Sequence, residues 1–285
     1  MFGILSPVPL LSGPPVHPLV NIAVSAARSA GNFIMRNLER ADTLQIEHKG
    51  RNDFVTQVDR GAESEIIKLI HKAYPQHAIL GEEGGKIGDN EVVWIIDPLD
   101  GTTNFLHRLP HFAVSIGVQI KGVLMHGVIY APCTQDLYVA SRGAGATLNN
   151  RRIRVSTCRE LDHALVGTGV PIKPEKLPAY LPTLGAVAEA TAGIRRAGAA
   201  SLDLAYVASG KLDAYWEMNL KPWDMAAGLV LVQEAGGIVG ELYGEGDPMN
   251  SGNVLVATPK IHGPFVDLLN TVRPRFEAAQ VDAAS

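Results

Sequence analysis

The sequence predicts a layered α/β sandwich of two halves that meet near residue 150. Three observations lead there. Apolar residues recur at helical spacing over the first ordered stretch, Gly-punctuated extended segments fill 112–148, and short strands alternate with helices after Arg154.

The elements follow in order. Residues 1–16 carry four prolines and no basic leader pattern, so they read as a disordered extension and a poor signal peptide. Val16 is read as the native initiator, with the residues before it as upstream sequence. Leu19, Ile22, Ala23, Ala26, Ala27, Ala30, Phe33, Ile34 and Leu38 form the apolar face of a first helix. A second helix is expected after Asp59, with Ile66, Ile67, Leu69 and Ile70 apolar and Pro75 closing it. Short strands at 78–80 and 92–96 run into acidic turns, and an antiparallel meander is expected over 112–148, with Gly143-Ala144-Gly145 as a hairpin turn. Beyond it, strands are expected at 164–167, 194–196, 214–216 and 254–257, and helices at 178–192, 202–209, 224–235 and 259–272. The chain thus divides into the extension 1–16, an N-terminal half 17–150, a C-terminal half 151–275 and a tail 276–285.

Composition limits the function. The chain has 285 residues, 46% of them hydrophobic and 19% charged, as in soluble globular proteins. The net charge of −4 argues against direct nucleic-acid binding, which draws on basic surfaces. No apolar run is long enough for a bilayer span. Two cysteines, Cys133 and Cys158, without CxxC spacing argue against a disulfide framework or structural zinc and fit a cytoplasmic setting.

The acidic residues are the informative ones. Glu82 and Glu83 follow one expected strand and Asp97 another, with Asp100 three residues on. Pro98 and Gly101 imply a tight turn that can aim Asp97, Asp100 and the Leu99 carbonyl at one point. Asp224 heads an apolar helix, where a carboxylate also serves as N-cap. Alone, each has a plain structural reading as a solvated loop or a cap. Together they lie at element junctions, where α/β folds gather ligand-binding residues, and hard cations such as magnesium take such oxygens. Two cations about 3.5–4 Å apart can neutralise a phosphoryl group, activate water and stabilise a leaving alkoxide.

The segment Trp94-Ile95-Ile96-Asp97-Pro98-Leu99-Asp100-Gly101-Thr102-Thr103-Asn104-Phe105 resembles the first signature of the inositol monophosphatase family, and Pro222-Trp223-Asp224-Met225-Ala226-Ala227-Gly228 resembles its second. Gly81-Glu82-Glu83 and Phe54-Val55-Thr56-Gln57-Val58-Asp59 match its other acidic segments. The stretch Arg195-Arg196-Ala197-Gly198-Ala199-Ala200-Ser201-Leu202-Asp203 resembles the bacterial, SuhB-type branch. The resemblance runs from about 17 to about 272. It implies the αβαβα sandwich of the inositol monophosphatase and fructose-1,6-bisphosphatase type, and magnesium-dependent hydrolysis of inositol-1-phosphate. It also implies two magnesium ions, the first on Glu82, Asp97 and the Leu99 carbonyl, the second on Asp97, Asp100 and Asp224. A third, weaker ion would touch Glu82 through water. Thr102, held by Asp59, would orient the attacking water. Gly101 and Thr102 would offer N–H groups to phosphate, and Glu217 and the Ala200 backbone would read hydroxyls of a small phosphorylated polyol. A homodimer and inhibition by lithium come with the resemblance. Alternatives on the same site are fructose-1,6-bisphosphate or a 3′-phosphonucleotide. A different class of reading makes the chain a protein partner in transcription antitermination and ribosomal-RNA maturation, with catalysis secondary. The segment 48–53 is one residue shorter than in the animal enzymes, which leaves the role of Lys49 open.

Other residues read more plainly. His107 and His111 flank Pro110 without a zinc motif. Arg151, Arg152 and Arg154 read as an exposed strand edge. For Arg195 and Arg196, a structural salt bridge and a place near a subunit interface and active site weigh evenly.

Overall fold

The computed structural model describes residues 17–38, 46–50, 53–171, 174–243 and 246–283. The stretch 1–16, with the proposed start at Val16, lies outside these residues, as does the side chain of Lys49.

Helix α1 (Pro18–Leu38) buries Ala23, Ala26, Ala27, Ala30 and Ile34, the stripe its spacing predicts. After the antiparallel pair β1 (Ile46–Gly50) and β2 (Asp53–Thr56), α2 (Gln57–Ala73) packs against α1. The two helices cover one face of an eight-stranded sheet. Its strands are β3 (Ala78–Gly81), β4 (Gly85–Ile87), β5 (Val92–Asp100), β6 (Ala113–Ile120), β7 (Val123–Ala131), β8 (Asp136–Ser141), β9 (Gly145–Leu148) and β10 (Arg151–Arg152). They lie in the order β10-β9-β8-β7-β6-β5-β3-β4. The strands β6 to β9 form the expected antiparallel meander, and exposed Arg151 and Arg152 make its edge. A short helix, α3 (Thr102–Leu106), interrupts the path from β5 to β6.

A five-stranded sheet follows: β11 (Leu165–Thr168), β12 (Gly193–Arg195), β13 (Ala214–Glu217), β14 (Ile238–Glu241) and β15 (Val254–Ala257), in the order β12-β11-β13-β15-β14. Helices α5 (Ala200–Ala208) and α6 (Pro222–Glu234) lie between the sheets, α6 against β6, β7 and β8, and α5 against β11 and β13. On the far side α4 (Leu177–Ala190) packs on α8 (Pro259–Ala283), closing a third core around Trp216 and Phe265. A short α7 (Pro248–Ser251) precedes β15. The result is the expected αβαβα layering. Among the described residues, no helix is long and apolar enough to cross a membrane.

Most boundaries shift by one or two residues, and four differences from the sequence reading have a local reason. Helix α2 starts at Gln57, so Asp59 lies in its first turn rather than before it. Helix α6 starts at Pro222, whose fixed φ and missing N–H suit a first helical position, so Asp224 sits at the third position and is not the N-cap. Strand β5 continues past Ile96 to Asp100, with a register shift between Asp97 and Asp100 around Pro98. The expected tight turn is therefore a bulged strand end, because proline has no N–H for the ladder. Helix α8 passes Val272 and Pro274 and runs to Ala283, so most of the segment set apart as a tail is helical; Glu277, Ala278, Ala279 and Gln280 are strong helix formers.

Candidate active site

Strands β3 and β5 run parallel, with Gly81 beside Ile96. Residues that leave the ends of parallel neighbours emerge at the same edge, so Glu82 and Asp97 come out side by side. The Glu82 N–H donates to the Ile96 carbonyl (3.1 Å) and ties the two exits together. Asp97 is 2% exposed and accepts the Leu99 N–H on Oδ1 at 3.0 Å, which curls the bulge round its carboxylate. Gly101 ends the bulge at φ +91°, and a Cβ there would lie 2.9 Å from the His111 carbonyl oxygen. Only glycine satisfies both demands.

From there α3 begins. Thr102 Oγ1 lies 2.9 Å from Asp59 Oδ1 and 3.0 Å from the Leu99 carbonyl oxygen. Asp59 comes from the first turn of α2 and is buried. The buried Asn104 amide donates to the carbonyls of His111 (2.7 Å) and Ala197 (2.9 Å), fastening this strap to the lead-in of α5.

Asp224 reaches the same place from α6. Its Oδ2 accepts the Lys221 N–H at 2.6 Å, which fixes the carboxylate at the helix start. The helix can come close because Gly117 and Gly127 are paired across β6 and β7 beneath it. A Cβ on Gly127 would stand 2.3 Å from the Ala227 carbonyl oxygen, and one on Gly117 2.7 Å from the Ala226 Cβ.

The four acids act on one another. Burial first, then the charges of Glu82, Asp100 and Asp224, push Asp97 well above the usual carboxylate range. Burial likewise raises Asp224 well above it, with Asp100, Glu82 and Glu217 adding to the effect. Asp100 is raised by burial to about 6, held back by the Ser201 hydroxyl and the Ser201 and Ala200 N–H groups. Such mutual repulsion in an all-oxygen donor set fits hard divalent cations, which would favour the charged form of every member. The four are not closed into a tight cage. Among the described residues, the one trio of donor atoms within 4.8 Å of one another is Glu160, Asp162 and His163, which is exposed. Magnesium keeps several waters and takes substrate oxygens, so an open arrangement suits it.

On the α5 side, Asp100 Oδ2 accepts the Ser201 hydroxyl (2.5 Å) and N–H (2.7 Å). The Ala200 N–H is also engaged with Asp100, so reading a substrate hydroxyl with it requires sharing that bond. Glu217 ends β13, accepts the Tyr215 hydroxyl, and is raised by burial to about 7. A Cβ on Gly169 would overlap its carboxylate, so the chain there runs directly over Glu217. Buried Asp203 lies under the influence of both Glu217 and Asp100; burial raises it well above its ordinary range, and Arg196 opposes that rise.

The structure thus gathers Asp59, Glu82, Asp97, Leu99, Asp100, Gly101, Thr102, Ala200, Glu217 and Asp224 around one edge. Arg195 and Arg196 are both exposed, and Arg196 also acts on Glu217 and Asp203. His107 is exposed and His111 packs its ring on Tyr206, so they make no joint site. Sequence reasoning missed Glu63, Ser201 and Asp203. Ser201 and Asp203 stand in the quoted stretch beside Ala200, and Glu63 lies one helical turn after Asp59.

Known proteins resemble the chain over most of its length. Residues 16–272 match the inositol monophosphatase family. The chain is 51% identical over 266 residues to the Nus factor SuhB of Pseudomonas aeruginosa, covering 91% of this chain and 97% of that protein. The crystal structure of the extragenic suppressor protein suhB from Bartonella henselae superposes with a TM-score of 0.86 at 43% identity, covering 89% of this chain and 98% of that one. An inositol monophosphatase from Anabaena superposes with a TM-score of 0.80 at 38% identity, over 89% and 95% of the two chains.

Proposed function

The chain belongs to the inositol monophosphatase family, and from that premise we propose that it is a magnesium-dependent phosphomonoesterase that hydrolyses inositol-1-phosphate to inositol and phosphate. The observation that carries the reading is the convergence of Glu82, Asp97, Asp100 and Asp224 beside the Asp59–Thr102 pair. Glu82, Asp97 and the Leu99 carbonyl would hold one magnesium ion, and Asp97, Asp100 and Asp224 a second. Bound there, the cations would neutralise phosphoryl charge, lower the pKa of water and stabilise the leaving alkoxide.

The remaining work falls to the chain itself. Asp59 fixes the Thr102 hydroxyl at 2.9 Å, and that hydroxyl aims the attacking water along the line of the breaking P–O bond. The Gly101 and Thr102 N–H groups orient phosphate oxygens at the head of α3. Glu217, raised to about 7, exchanges hydrogen bonds with hydroxyls of the alcohol half, as donor or acceptor near neutral pH. The buried groups around it favour a small polyhydroxylated alcohol over a second phosphate. A homodimer, a cytoplasmic location and lithium inhibition belong to the same reading.

Assay of inositol-1-phosphate, fructose-1,6-bisphosphate and a 3′-phosphonucleotide with magnesium tests the substrate. Preference for the inositol ester is expected, and equal or better turnover of the bisphosphates would overturn it. The second reading, a protein partner in transcription, is favoured by the higher identity to the Nus factor SuhB than to the inositol monophosphatase of Anabaena. Asp224→Asn separates the two: a cellular phenotype that survives loss of phosphatase activity assigns the physiological role to binding.

A further inference from the structure

Helix α2 carries two buried acids one turn apart, Asp59 at 1% and Glu63 at 5% exposure. Residues four apart share a helix face, so both look toward the same edge of the sheet. Asp59 meets Thr102 there. Glu63 instead lies under the loop that connects β3 to β4. Its Oε1 accepts the Glu83 N–H at 3.1 Å. A Cβ on Gly81 would lie 2.1 Å from Oε1, and one on Gly84 3.0 Å from Oε2. The loop is thus laid directly on the carboxylate, and the glycines on either side of Glu82-Glu83 make this approach possible. From the other side, the Glu82 N–H is bound to the Ile96 carbonyl, one residue before Asp97.

We propose that Glu63 is a positioning residue for divalent-cation binding: it fixes the Gly81–Gly84 backbone and thereby holds the Glu82 carboxylate against Asp97. The inference rests on Glu82 being a cation ligand, as proposed above. A rigid α2 then sets two things at once, the water-orienting Thr102 through Asp59 and the Glu82 ligand through Glu63. Outer partners that hold metal ligands in place commonly govern metal affinity.

The test is Mn2+ binding to the substrate-free protein, followed by electron paramagnetic resonance, with amide hydrogen exchange over 81–84 and thermal unfolding measured alongside. Glu63→Ala should weaken Mn2+ binding about 10–100-fold and speed exchange at Glu83. Glu63→Gln keeps the Oε1 acceptor and should bind Mn2+ as the parent does. Should Glu63→Ala fail to fold, Gly81→Ala gives the same information, since its methyl lifts the loop off the carboxylate while Glu63 remains. The double variant G81A/E63A should bind no worse than E63A, because the methyl enters vacated space. Parent-like Mn2+ affinity in Glu63→Ala or Gly81→Ala, or an equal loss in Glu63→Gln, overturns the proposal. Glu82→Gln is the control: if it leaves Mn2+ binding intact, the ligand assignment of Glu82 itself falls, whereas a loss there without one in Glu63→Ala rejects only the positioning role.

Discussion

Thr102 has one hydroxyl hydrogen and two acceptors within reach, Asp59 Oδ1 and the Leu99 carbonyl. That arrangement confines the hydroxyl while leaving its lone pairs available to a water molecule. Thr102→Ala should therefore lower kcat by about 10²-fold, the cost of a misdirected reactant, with KM little changed, in steady-state kinetics at saturating magnesium. Thr102→Ser should recover most of the loss; if it does not, orientation by the hydroxyl is the wrong account. Glu217 invites a different test. In the proposed function it meets the alcohol, so Glu217→Gln should raise KM for inositol-1-phosphate by about tenfold, one charged hydrogen bond's worth. Hydrolysis of p-nitrophenyl phosphate, which lacks ring hydroxyls, should hardly change. At this scale the sequence was readable where acids stand at element junctions, as Glu82, Asp97, Asp100 and Asp224 do. Glu63 and Asp203 escaped because an acid inside a helical pattern resembles a solvated face. What buries them is contact with distant segments, Gly81 for one and the surroundings of Glu217 for the other.

Among the elements, α6 has the most demanding position, since it carries Asp224 while wedged between two sheets. Its closeness depends on bare backbone at Gly117 and Gly127. Gly127→Ala sets a methyl 2.3 Å from the Ala227 carbonyl oxygen, so α6 must retreat from β7. The expected result is a stability loss of about 1–3 kcal/mol, typical of overpacking, together with weaker magnesium activation as Asp224 moves with its helix. Gly185→Ala is the matched control, because a Cβ there meets nothing within 4 Å; it should leave Tm unchanged or raised. Unfolding curves that show both variants alike would remove the close-approach argument. The same helix illustrates what periodicity conveys and what it leaves out. Its apolar run is plain in the sequence, yet the pattern alone starts the helix two residues late, because Pro222 reads equally as a loop residue and as a first helical position. Strands β4 and β14 were not anticipated at all: three- and four-residue edge segments have too few residues to show an alternation, and partners elsewhere in the chain define them.

For the molecule as a whole, the acidic edge is a store of like charge. Asp97, Asp100, Asp224 and Glu217 all have folded-state pKa values raised above their ordinary ones, chiefly by burial. An acid of this kind binds its proton more tightly when folded, so its contribution is complete below the unfolded pKa and disappears as pH rises through the folded one. For Asp100 that window runs from 3.8 to about 6, and for Glu217 from 4.5 to about 7. Metal-free protein should consequently lose stability from these groups as pH climbs toward 7. Divalent cations work in the opposite sense, since they bind the folded, ionised cluster and must displace its protons at low pH. The increment in Tm that magnesium gives over EDTA should therefore grow from pH 5.5 to pH 8, and most of it should vanish in Asp97→Asn. That variant should also melt higher than the parent in EDTA at pH 8, because one of the mutually repelling charges is gone. Differential scanning calorimetry across this range decides the matter. An increment that is flat with pH, or one that Asp97→Asn retains, would mean that the cation binds elsewhere than on these carboxylates.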